Sequence, residues 1–149
     1  MQLAFGKKNG KLLERLLIED PGYIQWILGV ESPSGRLATA ANHARQCLAR
    51  LDHRPFIEAC SSCKQPATRM SLYRDACEPW FWCQKCSPYS LGAEPGRLTI
   101  VTTYQEVIDH VRMFANTNES LRFVADRVIT AKGLLKPRTD KKLVEFFTA

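Results

Sequence analysis

The sequence predicts an α+β fold, and three observations predict it. Apolar residues recur at helical spacing in blocks at both ends of the chain. Between them lies a stretch rich in cysteine and aromatic residues, whose short apolar runs alternate as strands do. Near the start, Asn9-Gly10 interrupts two apolar runs as a β-hairpin turn would. With 149 residues, 45% hydrophobic and 24% charged, the composition is that of a globular domain and excludes wholesale disorder. No apolar run approaches the ~18 uncharged residues of a membrane helix.

The first element is the hairpin from Leu3 to Leu13. Asn-Gly is the pair favoured where both central turn residues need positive φ. Spacing turns helical at Leu13, Leu16 and Leu17. Asp20-Pro21-Gly22 closes that helix and opens another, with Asp20 as N-cap, Pro21 at its first position and Tyr23, Ile24, Ile27 and Leu28 on its apolar face. After a linker from Glu31 to Gly35, Leu37, Ala41, Ala44, Leu48 and Leu51 mark an amphipathic helix that His53-Arg54-Pro55 breaks. Thr103-Tyr104-Gln105-Glu106 is a capping box for a helix with Tyr104, Val107, Ile108, Val111 and Phe114 on one face. Asn116-Thr117-Asn118-Glu119 repeats that punctuation before Leu121, Val124, Val128 and Ile129. Gly133 ends this helix, and a last short one carries Leu143, Phe146 and Phe147. The expected organisation is an N-terminal β-hairpin with helices over 1–55, a cysteine-rich unit over 56–102 and C-terminal helices over 103–149.

Cys60-Ser61-Ser62-Cys63 and Cys83-Gln84-Lys85-Cys86 are two C-x-x-C pairs separated by 19 residues. Each pair sets two thiolates on one ion, and two such knuckles complete a tetrahedron. Between them, Ala67 to Tyr73 alternates by side, Arg74 to Pro79 makes a bend, Trp80-Phe81-Trp82 returns, and Leu98 to Val101 offers a third strand. The pattern is that of a central zinc ribbon holding one structural Zn²⁺ on Cys60, Cys63, Cys83 and Cys86. A redox dithiol needs one pair and leaves the second unexplained. Cys77 at the bend matches no knuckle spacing, and Cys47 lies inside a helix as packing. His43, His53 and His110 are scattered and read as surface or core residues.

The chain carries 21 Lys and Arg against 15 Asp and Glu, a formal +6. Four thiolates around one dication lower that by two, so basicity alone is weak evidence for a polyanion partner. Position says more. The hairpin sets Lys7, Lys8 and Lys11 beside glycines that permit close backbone approach, which suits phosphate. The same lysines equally suit a solvated hairpin edge that resists sheet addition. On the ribbon, Arg69, Arg74 and Lys85 could reach phosphates while Tyr73, Trp80 or Trp82 stacks on bases, although alternation also allows both tryptophans to be ribbon core.

The segment Phe5-Gly6-Lys7-Lys8-Asn9-Gly10-Lys11, followed by Asp20-Pro21-Gly22-Tyr23-Ile24-Gln25-Trp26-Ile27-Leu28, carries the pattern F-G-K-x-x-G-K then D-P-x-Y-I-x-W-I-L. Over residues 2–30 it resembles the small domain at the C-terminus of exodeoxyribonuclease X-type proteins, a motif related to one in proteins of the quorum-sensing-regulated virulence factor type. The resemblance implies a compact hairpin-and-helix module attached to DNA-processing machinery. It points to Phe5, Gly6, Lys7, Gly10 and Lys11 on the hairpin and to Tyr23 and Trp26 on the helix. Lys8 departs from the family, which often has an aromatic residue there. The exonuclease's catalytic domain has no counterpart in the sequence, so nuclease activity does not transfer.

No Ser-His-Asp, P-loop, G-x-G-x-x-G or H-E-x-x-H motif is present, and the carboxylates are dispersed. The expectation is therefore a protein without catalytic residues. It binds nucleic acid, DNA more than RNA, as an accessory of a DNA-processing complex. The alternative is an adapter that docks on a larger nuclease, polymerase or defence complex. The first residues lack the apolar core and cleavage site of a secretion signal, so a reducing, cytoplasmic setting without membrane contact is expected.

Overall fold

The computed structural model describes all 149 residues, Met1–Ala149. Its elements run α1 (Leu13–Glu19), α2 (Pro21–Gly29), α3 (Gly35–His53), β1 (Arg69–Tyr73), β2 (Trp80–Trp82), a 3-10 turn (Pro88–Leu91), β3 (Leu98–Val101), α4 (Tyr104–Phe114), α5 (Asn118–Ala131) and α6 (Asp140–Thr148). This is the expected α+β fold, with helices before and after one small sheet. No helix is long and apolar enough to cross a membrane.

Local capping chemistry sets most helix starts. Asp20 Oδ1 accepts from Tyr23 N at 3.2 Å with Pro21 in the first turn of α2. Thr103 Oγ1 accepts from Glu106 N, and the Glu106 carboxylate reaches back to Thr102 and Thr103. Helix α5 begins one residue later than its sequence implies. Asn116 takes a left-handed φ of 44° and gives its N–H to Val111 O at 2.8 Å, closing α4. Thr117 is left as the cap, its hydroxyl accepting from Ser120 N.

The N-terminal hairpin is reduced to one bridge, Gln2 with Leu12. Leu3 N donates to Lys11 O at 2.9 Å and Leu3 O accepts from Gly10 N at 2.8 Å. Asn9 does not take positive φ, so Asn9-Gly10 is not the two-residue turn expected. Two successive turns, Gly6 to Asn9 and Lys8 to Lys11, carry the chain round instead. Gly6 has φ +66°, and a Cβ there would lie 3.0 Å from Tyr23 Oη. Both the left-handed backbone and the close approach to α2 require glycine.

The two helical ends of the chain build one body. Helix α1 packs on α2, α3, α5 and α6, burying Leu13, Leu16 and Leu17. The Tyr104 hydroxyl donates to Leu17 O at 2.5 Å. Arg50 of α3 and Arg54, just past its end, donate to the carbonyls of Phe147 and Phe146, where α6 presents the negative end of its dipole. The sheet, ordered β2-β1-β3 and antiparallel throughout, is inserted between α3 and α4. Met70, Leu72, Phe81 and Val101 carry it into the shared core of 34 buried residues. Each such burial is worth about 1.5–3 kcal/mol. Phe56 meets Phe81 edge-on at 5.6 Å, and His110 joins Tyr73 O and Thr99 Oγ1 to α4.

Candidate metal centre and the N-terminal groove

The four cysteines of the two C-x-x-C pairs come together. Their sulfurs all lie within 4.8 Å of one another, with Cys63 Sγ 3.5 Å from Cys83 Sγ. A tetrahedron with metal–sulfur bonds of about 2.3 Å sets its sulfurs about 3.8 Å apart, so the cluster is the right size for one ion. The first knuckle is a miniature hairpin. Ala59 bridges Pro66, Cys60 N donates to Gln65 O at 2.7 Å, and Lys64 turns the chain with φ 65°. Ser61 N donates to Phe81 O, joining this knuckle to β2 and so to Cys83.

Burial opposes ionisation of Cys60, but the N–H groups of Cys63, Cys83 and Ser62 outweigh it and draw the thiol down to about 6. Cys83 is likewise drawn down against burial, by the Cys86 thiol and the Lys85 N–H. Cys86, hydrogen-bonded to the Cys83 and Cys63 sulfurs, is pushed up to about 12. Four sulfurs so close cannot all carry charge unaided, and a dication lets them. The donor set, all thiolate and closed, is compatible with zinc held structurally.

The surroundings brace the second knuckle. Trp82 is buried with Cys60 and Cys83, and its indole N–H donates to buried Ser71 Oγ at 2.8 Å. Arg69, expected on phosphate, instead turns inward and donates to the carbonyls of Cys83, at 3.2 Å, and Cys86. Outer groups that orient ligands tune metal affinity. Arg69→Ala is therefore expected to weaken zinc binding about 10–100-fold, measured by competition with a chromophoric chelator, while the helices stay intact. An unchanged affinity would leave Arg69 no part in the centre.

Cys77 lies outside the four-sulfur set. Cys47 is buried, as expected, and belongs to a second constellation the sequence did not reveal. Glu14, fully buried on α1, accepts from the Met1 amine at 2.7 and 2.9 Å and meets His43 Nε2 at 2.5 Å, with Cys47 Sγ 3.5 Å from that nitrogen. Burial, with Glu14 beside it, pushes the Cys47 thiol up to about 12. A neutral buried thiol is a packing group, and the carboxylate is already satisfied by its neighbours.

The other expected contact residues separate. Arg74 lies over the Phe114 ring at 5.5 Å, and Lys85 projects from the second knuckle with no partner. Lys7, Lys8 and Lys11 ring the N-terminal loop and meet two adjoining cavities. One, of about 410 Å³, has Lys8, Lys11, Arg15 and Arg122 against Glu19 and Asp20. The other, of about 780 Å³, has Lys7, Lys8, Gly22, Tyr23, Trp26 and Asn118. Lys8 pairs with Asp20 at 3.0 Å, and Arg15 pairs with Asp140 and Glu19.

No family model, curated protein or solved structure matches the chain.

Arg15 and Arg122 had no local signal in the sequence, because α1 and α5 lie far apart along the chain and only packing joins them. The C-terminal basic residues, by contrast, each have a partner, some inside the fold and some on its surface. Lys132 and Arg138 are turned inward, onto the carbonyls of Asp52 and Arg54 and onto Asp126 respectively. Lys136 and Lys141 pair with Asp126 and Glu145, and Lys142 donates to Pro137 O.

Proposed function

We propose that this is a non-catalytic zinc-ribbon protein that binds nucleic acid through its N-terminal groove as an accessory of a DNA-processing assembly. The ribbon carries one structural Zn²⁺ on Cys60, Cys63, Cys83 and Cys86. The single observation that carries the reading is where unpartnered cations fall. Of the 21 Lys and Arg side chains, only Lys7, Lys11, Lys85, Arg112 and Arg122 lack a hydrogen bond, ion pair or aromatic ring partner. Lys7 faces the larger cavity and Lys11 and Arg122 the smaller, where Arg15 also lies, and Lys8 lines both. Cations left without internal partners are those available to phosphate.

A fluorescence anisotropy titration across a salt series tests this. The wild-type chain is expected to bind a labelled DNA oligonucleotide at low salt and to weaken steeply as salt rises. Replacing Lys7, Lys11 and Arg122 with alanine is expected to lower the slope of log K against log salt by about one for each phosphate no longer neutralised. No binding at low salt rejects the reading.

The adapter reading has one observation in its favour. Trp80, Tyr89 and Leu91 stand exposed on the ribbon, away from the core. An assembly with a defined protein partner that survives nuclease treatment and disappears on Trp80→Ala would favour it.

A further inference from the structure

We infer that the larger cavity is a subsite for one unpaired nucleotide, with phosphate at Lys7 and Lys8 and the base on Trp26, so that the groove selects single strands over duplex. The inference rests on the nucleic-acid reading above and specifies its ligand.

Trp26 stands on α2 with 53% of its surface exposed, although its neighbours Tyr23, Ile24 and Ile27 are buried. Its ring packs against Tyr23 at a centroid distance of 5.4 Å and a tilt of 36°, which fixes one side and leaves the rest open to the cavity. A large aromatic surface held in place and left in water is what a stacking platform requires. The cavity volume, about 780 Å³, falls within the ~300–1,000 Å³ of small-ligand sites.

The charges are placed for phosphate. Lys7 has no internal partner, and Lys8 is held at the cavity by Asp20. The Asp20 carboxylate is itself engaged, since it accepts from Tyr23 N as the cap of α2. Asn118 brings the first turn of α5 to the same wall, and a helix start favours anions. Gly22 opposite adds no side chain, and even a Cβ there would stop 3.8 Å from Asn118 Oδ1. Tyr23 lines the cavity, is 7% exposed, and its hydroxyl has no hydrogen-bond partner. Gly6 and Lys7 come from the first half of the N-terminal motif and Tyr23 and Trp26 from the second, so the two halves meet at one wall.

Bases in a duplex stack on one another and cannot lie on Trp26, whereas those of a single strand can. The zinc-loaded full chain is titrated with a labelled oligo(dT) and, separately, with a hairpin duplex of equal phosphate number. The wild type is expected to prefer oligo(dT). Trp26→Ala is expected to weaken oligo(dT) binding about ten-fold and to leave duplex binding unchanged, with Trp26→Phe restoring most of the affinity. Because Trp26 is outside the core, circular dichroism should report an unchanged fold for both variants. If single strand and duplex bind alike and Trp26→Ala alters neither, the subsite is overturned while the nucleic-acid reading stands. If neither form binds the wild type, both fall.

Discussion

Removing the metal, or replacing Cys60 or Cys83 with serine, is expected to unfold the two knuckles while leaving the helices and the strands packed on them. Around the centre only Cys60, Trp82 and Cys83 are buried as a group of their own, so the knuckles have almost no apolar core to hold them. Structural zinc in small domains contributes on the order of 10–16 kcal/mol of apparent binding free energy, far above what so small an apolar group supplies. Without the ion, four sulfurs within 4.8 Å of one another lose the charge that draws them together. The helices have another source of stability, since α1 to α6 supply most of the shared core. Elemental analysis should return one zinc per chain. Chelation should abolish the near-ultraviolet circular dichroism of Trp82 and expose the two knuckles, around Cys60 to Cys63 and Cys83 to Cys86, to protease while helical ellipticity persists. Cys77→Ser should keep its zinc. A zinc-free chain whose knuckles stay intact and protease-resistant would sink the assignment.

Glu14→Ala is expected to cost about 3–5 kcal/mol, the range for removing one partner of a buried ion pair. Glu14 is 0% exposed, and its loss would strand the Met1 amine and leave His43 without its acceptor. The effect carries a pH signature. Burial tends to raise the Glu14 carboxyl, but hydrogen bonds from the Met1 amine and His43 outweigh it and hold the group below its ordinary value of 4.5. A carboxylate depressed in the folded state stabilises above its unfolded value and loses that contribution as pH falls through the folded one. The stability gap between wild type and Glu14→Gln, read by urea denaturation, should thus be widest near neutrality and should narrow below pH 4.5. Zinc release in acid is common to both proteins and cancels in the difference. A gap independent of pH would show that Glu14 acts by packing alone.

How much was legible in the sequence depended on the range of the interaction. Asp20-Pro21 and Thr103 with Glu106 were readable because a cap and its N–H lie within three residues. The cysteine pairs were readable because each knuckle closes over four residues. The Asn9-Gly10 turn was misread because Gly6, fitted against Tyr23 of α2, sets a wider loop. Asn116 was misread as a cap because closing α4 took precedence. Arg69 looked like any exposed cation on a strand, and only the fold of the second knuckle turned it onto two carbonyls. Trp80 and Trp82, two apart on one strand, were indistinguishable in sequence. Ser71 and the cysteine cluster bury the second and leave the first exposed.

The sequence by itself determined the α+β class, the order of the elements and the four sulfurs, because period, caps and C-x-x-C spacing are local properties of the chain. The tertiary structure decided which charges are left without a partner inside the fold. Helices from the two ends pack together, and in doing so they turn Lys132 onto the carbonyls of Asp52 and Arg54 and bring Arg122 to the loop of Lys7, Lys8 and Lys11. No local pattern reports this, because whether a cation is available depends on what lies beside it once the long stretch of chain between has folded.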